Sequence, residues 1–333
     1  MSFDSYPHGP LRVLVLSGGP SAEREISLQS GQAVATALES IGHVVTPFDP
    51  RHEQLTGVDA SQFDIAFVAL HGRYGEDGGV QAQLEAIGLP YTGSGPEASA
   101  LAFSKTAAKA SFLSHGVPTP AAVAFQAGEP LTEVVARATH LGFPVVVKPD
   151  RQGSSLGIRF AHTPDELAAA IEAALAFDSQ GLIEVAIAGE EWTVPLLDEE
   201  VLPPIRIGTP HAFFDYEAKY LREDTAYEFP EDVPLERLAL IQDTAQHAAR
   251  SLGVSSLSRV DLRVDPSGQP WVLEVNTIPG LTDHSLAPKS AAQRGLTFAQ
   301  MCEDICRRAI AAHCRNLPHR QGPPLPNEMR RAG

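Results

Sequence analysis

Long hydrophobic runs are missing from this chain. Its longest apolar stretches, such as residues 65–70, are far too short to cross a bilayer, so no membrane association is expected. Cationic patches are missing too. Lysine and arginine number 25 against 41 acidic residues, a formal net charge of −16, which excludes nucleic-acid binding because phosphate backbones demand clustered cations. A nucleotide, held by a few placed cations, is not excluded. Lysine is the scarcest charged residue: Lys105, Lys109, Lys148, Lys219 and Lys289 are the whole set. Cysteine is represented only by Cys302, Cys306 and Cys314. Cys302 and Cys306 lie one helical turn apart, but an odd count without CxxC spacing argues against a metal site shared with His313; buried or semi-buried thiols are expected instead. Residues 1–10 carry neither a basic segment nor an apolar one, so no signal peptide is expected and the chain reads as cytoplasmic.

What remains is the composition of a globular protein, 43% hydrophobic and 20% charged over 333 residues, long enough for two or three domains. Strand and helix signals alternate at first: strands at 11–16, 44–48 and 65–70, with helical periodicity at 23–39, imply a small parallel α/β unit. A second unit opens near Ser104 with a helix carrying Lys105 and Lys109. It runs through an apolar strand at 144–148 and a Gly/Ser loop at 150–157 to a helix opened by Thr163, Pro164, Asp165 and Glu166, a capping box with proline at the first position. The third unit has strand-like runs at 192–197 and 201–207, a polar, aromatic loop at 214–229 and a helix at 235–252. Two further strands and a closing helix boxed by Thr297 and Gln300 complete it. The resulting division is 1–103, 104–188 and 189–316, with 317–333 too poor in apolar residues to fold.

The strands at 257–265 and 270–276 flank Asp265-Pro266-Ser267-Gly268, a tight turn with proline second. A loop of two or four residues puts Val260, Leu262 and Val264 with Trp271, Leu273 and Val275 on one apolar face. The other face then carries Arg259, Asp261, Arg263, Glu274 and Asn276. A solvated charged face is one reading of that pattern. The other is a Mg²⁺ site, since Asp261, Glu274 and Asn276 offer three hard oxygen ligands, with Arg259 beside them to neutralise a transferring phosphoryl group.

Gly153-Ser154-Ser155-Leu156-Gly157 matches G-x-S-x-G in form, but the strand ends at Lys148 and the next helix starts only at Thr163, so the nucleophile-elbow context is absent. The loop is either a glycine hairpin or a flap whose backbone amides and hydroxyls fold over phosphates, with Lys148 supplying the cation. Gly93-Ser94-Gly95-Pro96-Glu97-Ala98 lacks the acidic residue a dinucleotide site needs. Glu23 and Glu25, opening the helix after Gly18-Gly19, repel a pyrophosphate; they suit either helix capping or the ammonium of an amino acid.

Together these residues resemble the D-alanine–D-alanine ligase family of ATP-grasp enzymes. The matching segments run in order along nearly the whole chain: GGPSAEREIS (18–27), ALHGRYGEDG (69–78), LPYTGSG (89–95), VVKPDRQGSSLG (146–157), FDYEAKY (214–220), SRVDLRV (258–264) and EVNTIPGLTDHSL (274–286). The resemblance implies an α/β fold, α+β in the ATP-binding part, with three-domain ATP-grasp architecture. It implies ATP held by Lys105, Lys148, Ser155, Glu184, Val185, Ala186, Ile187, Glu191, Phe213 and Lys219, and two Mg²⁺ or Mn²⁺ on Asp261, Glu274 and Asn276. Glu23 would take the ammonium of a first D-alanine, with His71 near its carboxylate and with Ser154 and Tyr220 joining Glu23 to close the site. Ser285 and Leu286 would receive the second D-alanine, and Arg259 with the Gly280 amide would form an oxyanion hole. A homodimer is expected. The other readings are a ligase taking D-lactate or D-serine second, and a nucleotide-binding protein without activity.

Overall fold

The computed structural model describes residues 9–208, 226–282 and 285–316. The first part alternates strands and helices: β1 (Arg12–Leu16), α1 (Arg24–Ser40), β2 (Val44–Phe48), β3 (Ile65–Val68), α2 (Gly79–Ala86) and α3 (Pro96–Phe103). The three strands pair in parallel in the order β2-β1-β3. Alternation sorts their side chains between two cores. Val13, Val15, Ile65 and Phe67 enter one with α1's Val34 and Leu38, whereas Leu14, Leu16, Ala66 and Val68 enter another with α2's Val80 and Leu84.

The chain then runs through α4 (Lys105–Ser114), β4 (Ala122–Gln126), α5 (Leu131–Thr139), β5 (Val145–Pro149), β6 (Arg159–Ala161), α6 (Pro164–Leu175) and β7 (Gln180–Val185). Its strands form an antiparallel sheet in the order β4-β7-β5-β6. Val145, Val147 and Ile183 on one face meet Leu167 and Ile171 of α6 and Val134 of α5. The opposite face carries Lys148 and Glu184. At α6 half of the expected capping box forms: Thr163 Oγ1 accepts from Glu166 N at 3.2 Å, whereas Glu166 Oε2 accepts from the amide one residue before the cap, His162 N, at 2.7 Å.

The third group comprises β8 (Glu190–Leu197), β9 (Glu200–Val201), β10 (Ile205–Gly208), β11 (Ala226–Glu228), α7 (Leu235–Ser251), β12 (Leu257–Val264), β13 (Pro270–Asn276), α8 (Leu286–Gln293) and α9 (Phe298–Asn316). Its sheet runs β11-β10-β8-β12-β13, with β9 on β8. Trp192, Val194, Val260, Leu262 and Val272 pack against Ile241 and Ala245 of α7. α9 returns to the first sheet, where Met301, Cys302, Ile305 and Cys306 share a core with Val13, Leu38 and Phe67. The thiols of Cys302 and Cys306 are thus packing groups, whereas Cys314 is exposed rather than buried. No helix among the described residues is long and apolar enough to cross a membrane.

Three local expectations need correction. The strand expected at 201–207 is two strands, β9 and β10, because Pro203 and Pro204 between them have no N–H to donate. The loop expected at 214–229 ends in β11, where Ala226, Tyr227 and Glu228 pair antiparallel with Gly208, Ile207 and Arg206; residues 209–225 lie outside those described, as does the segment 317–333.

The third correction concerns the hairpin. Val264 pairs with Pro270, so the connection holds five residues rather than two or four, and the register shifts between Asp261 and Leu262. Leu273 is the extra residue of a β-bulge. On the turn side of it Val272 and Pro270 join the apolar face, and Trp271 moves to the polar one, opposite Arg263, where its Nε1–H donates to Asp265 Oδ2 at 2.9 Å. Beyond the bulge the expected parity returns, with Asp261 opposite Glu274 and Arg259 opposite Asn276.

Candidate functional site

Residues from the first part, from α4, from the Gly/Ser loop and from β12–α8 enclose one open cleft with an empty volume of about 1070 Å³. At one end stands Glu23, at the N-terminus of α1. Its backbone N–H donates to Ser21 Oγ at 3.0 Å, and Ser21 Oγ donates to His71 O at 2.7 Å, which ties two loops of the first part together. The Ser154 hydroxyl donates to Glu23 Oε1. That contact needs a close approach by the Gly/Ser loop, since a Cβ on Gly153 would lie 2.6 Å from Glu23 Oε2. Ser154 and Ser155 both hold positive φ, 50° and 58°, the kind of backbone strain that persists where surrounding contacts demand it. Burial pushes the Glu23 carboxyl above its ordinary value, and the neighbouring Glu76 carboxylate adds to that; Ser154, His71 and Lys105 oppose the rise.

His71 lines the cleft, but both its ring nitrogens are engaged. Nδ1 lies 3.0 Å from Ile278 O, an acceptor only, so Nδ1 carries a proton, and Nε2 is hydrogen-bonded to the Ser30 hydroxyl at 2.9 Å. The imidazole thereby fastens the loop after β3 to the loop after β13.

Lys105 is the first residue of α4, capped by Ser104. Its Nζ donates to Gln152 O at 2.7 Å and lies 3.4 Å from Glu274 Oε2. The fully buried Asp150 carboxylate holds this helix to the end of β5, accepting from Ser104 Oγ and from Thr106 N, each at 2.8 Å.

The far wall is the polar face of β12 and β13. Asp261 Oδ1 accepts from Thr193 Oγ1 at 2.6 Å and from Arg259 Nε at 2.8 Å, and Asp261 Oδ2 accepts from Arg259 Nη2 at 2.7 Å. Asp261 and Glu274 stand directly opposite each other, an arrangement of like charges that is destabilising unless a cation lies between or beside them. Asn276 Oδ1 accepts from Ile278 N at 2.9 Å and keeps a second lone pair. Gly280 and Ser285 meet at the cleft's edge: a Cβ at Gly280 would lie 2.9 Å from Ser285 Oγ. Leu286 begins α8 and packs with Ile205 and Ile207.

The cleft therefore gathers Glu23, His71, Lys105, Ser154 and Arg259 with Glu274, Asn276, Gly280, Ser285 and Leu286. Lys148, Ser155, Glu184, Val185, Ala186, Ile187, Glu191 and Asp261 are not among its lining residues. Lys148 and Glu184 form a buried ion pair, and Lys109 Nζ lies 3.1 Å from the second oxygen of Glu184. Burial alone would raise the Glu184 carboxyl; Lys148 and then Lys109 more than offset that and hold it below its ordinary value. Burial pushes the Lys109 ammonium down, with Glu184 opposing. Glu191 Oε2 accepts from Arg263 Nη1 at 3.2 Å. Ala186 N donates to Pro144 O at 3.1 Å, and Val185 N donates to Ala121 O at 3.0 Å, which orders the start of the connection from β7 to β8 through Ile187. Phe213, Lys219 and Tyr220 lie outside the described residues.

The sequence reading missed four participants: Glu76, Lys109, Asp150 and Gln152. Glu76 lines the cleft and accepts from Gly72 N at 2.8 Å. For Lys109 a signal was present, since it follows Lys105 by four residues on one helix in a chain with few lysines. Asp150 and Gln152 had no signal beyond their place in the Gly/Ser loop.

A family model described as D-ala D-ala ligase C-terminus matches residues 112–307, and one described as D-ala D-ala ligase N-terminus matches residues 50–94. A protein of Ectopseudomonas mendocina named D-alanine–D-alanine ligase is 46% identical over 303 residues, 90% of this chain and 95% of that one. A solved structure of D-alanine–D-alanine ligase from Bacillus anthracis complexed with ATP superposes with a TM-score of 0.81 at 31% identity, covering 92% of this chain and 99% of that one. The VanG D-Ala:D-Ser ligase from Enterococcus faecalis superposes with a TM-score of 0.78 at 30% identity, covering 89% and 98%.

Proposed function

The chain belongs to the D-alanine–D-alanine ligase family, and from that premise we propose that it joins two D-alanines at the expense of ATP, supplying the dipeptide of peptidoglycan precursors. The observation that carries the reading is the single cleft that puts Glu23 in the same cavity as Lys105, Arg259, Glu274 and Asn276. An ammonium-binding carboxylate and phosphate-directed groups are what activation of an amino acid needs in one place.

A carboxylate is a poor electrophile, so its oxygen first attacks the γ-phosphorus of ATP; ADP leaves and an acyl phosphate forms. The amine of the second D-alanine then attacks the acyl carbon, and the tetrahedral intermediate expels phosphate. Glu23 takes the ammonium of the first D-alanine, and Ser154 orients that carboxylate. Arg259 and the Gly280 amide stabilise the oxyanion. Ser285 and Leu286 receive the carboxylate of the second D-alanine. Lys105 and Lys148 hold the phosphates, while Glu184, the connection after it and Glu191 hold adenine and ribose. The oxygen-only donors Asp261, Glu274 and Asn276 fit two Mg²⁺ or Mn²⁺ ions, which would neutralise phosphate charge. The Gly/Ser loop shields the acyl phosphate from water. We assign the three units at 1–103, 104–188 and 189–316 to substrate, nucleotide and metal-plus-lid roles. A cytoplasmic homodimer completes the proposal, and light scattering tests the dimer.

Phosphate release from ATP with D-alanine, L-alanine, D-serine or D-lactate added tests the reaction. D-Alanine alone should support fast turnover. Preference for D-serine, the second reading that the Enterococcus relative favours, would reassign the acceptor, and release indifferent to any amino acid would sink the ligase reading.

A further inference from the structure

Glu184 is buried with two lysines, Lys148 on one carboxylate oxygen and Lys109 on the other. One carboxylate neutralises one ammonium, so the cluster holds a cation in excess. The two lysines are not held alike. Lys109 Nζ donates to Thr119 Oγ1 at 2.8 Å and to Pro120 O at 2.6 Å, and forms an ion pair with Glu184 Oε2 at 3.1 Å. Two of its three protons are therefore held by groups other than Glu184, which fixes the ammonium beside that carboxylate. Its anchor is itself anchored, because Thr119 Oγ1 donates to Val272 O of β13 at 2.8 Å. Lys148 is partnered among the described residues by Glu184 alone. Of the two, Lys148 is the one free to exchange its partner for a phosphate.

That exchange has a consequence for Glu184. A buried carboxylate that loses its partner is strongly destabilised, and if Lys148 were its sole counter-ion, release toward a nucleotide would be opposed by the full penalty of stranding it. We propose that Lys109 is a positioning residue, the resident counter-ion of Glu184, whose anchored ammonium lets Lys148 leave Glu184 for the nucleotide phosphates. Lys109 touches no substrate in this arrangement and acts through Glu184 on Lys148. The proposal rests on the reading of Lys148 as a phosphate ligand.

Calorimetric titration with Mg·ADP tests it on four proteins: native, Lys109→Met, Glu184→Gln, and the double variant. Lys109→Met should weaken Mg·ADP at least about tenfold in the native background, because Glu184 then retains Lys148, and less than about threefold in the Glu184→Gln background, where no carboxylate is left to strand. Lys109→Arg should stay near native. Equal weakening in both backgrounds, or none in either, overturns the proposal. Should Lys109→Met fail to fold, Thr119→Val, which removes one anchor, should show the same background dependence at smaller amplitude, and its absence there overturns the proposal as well. Lys148→Met separates the two readings. If it leaves Mg·ADP affinity unchanged, the phosphate role of Lys148 fails; if it weakens binding while the cycle shows no coupling, only the counter-ion role of Lys109 fails.

Discussion

Arg259 grips Asp261 from two positions away on the same strand, through two parallel hydrogen bonds of 2.8 and 2.7 Å. Residues i and i+2 share a face of a strand, so the Asp261 carboxylate lies behind the guanidinium of Arg259, which lines the cleft. Removing one preorganised donor to an oxyanion costs about 10²–10³ in kcat. Arg259→Met should therefore lower kcat by that order with little change in the KM for ATP. Arg259→Lys should not restore it, because a single ammonium cannot reproduce the fork. A rise confined to the ATP KM would make Arg259 a ground-state binder.

Glu274 faces Asp261 across the hairpin and lies close to Lys105. Glu274→Gln should abolish phosphate release at saturating Mg²⁺. It also removes one of two opposed carboxylates, a substitution expected to leave the melting temperature unchanged or slightly higher. Near-native turnover in the folded variant would contradict the metal assignment.

Glu23 predicts a pH dependence of stability. Its folded-state pKa lies above the ordinary glutamate value through burial and the field of Glu76. A raised value means that the stabilising contribution is complete below the unfolded pKa and is lost as pH rises through the folded one. Glu23→Gln cannot ionise. The melting temperature of Glu23→Gln minus that of the native protein should thus be small near about pH 4, where a glutamate in an unfolded chain titrates, and grow toward neutrality. A difference that stays flat with pH would show that Glu23 is not perturbed in solution.

Asp150 predicts a link between stability and nucleotide use. Asp150→Ala removes the acceptor of the part-buried Thr106 amide and the nearer acceptor of the Ser104 hydroxyl, and a buried donor left unpaired costs about 1–3 kcal/mol. Melting should fall by several degrees, and the KM for ATP should rise because Ser104 caps the helix that aims Lys105. A destabilised variant with native KM for ATP would restrict Asp150 to a structural part.

Much of this protein was written locally in its sequence. The caps at Thr163 and Thr297 and the parallel strands of the first part follow from short-range rules, because each depends on residues close in sequence; Asp261 and Glu274 share a face as expected, but they stand opposite each other only because the bulge at Leu273 offsets the five-residue connection. The two prolines that split β9 from β10 are a local signal too. Other features were settled only by tertiary structure. Leu273 bulges because both the core around Val272 and the polar cleft face must be satisfied on one strand, and periodicity cannot say where a strand will slip by one residue. Cys302 and Cys306 became core groups because α9 returns across the molecule to the sheet that begins the chain, an apolar fit between segments almost three hundred residues apart. The same holds for the Glu184 cluster. Sequence supplied two lysines and a glutamate on separate elements; the packing of α4 against β7 brought their charges into one buried volume, where low polarity makes each partner's presence decisive.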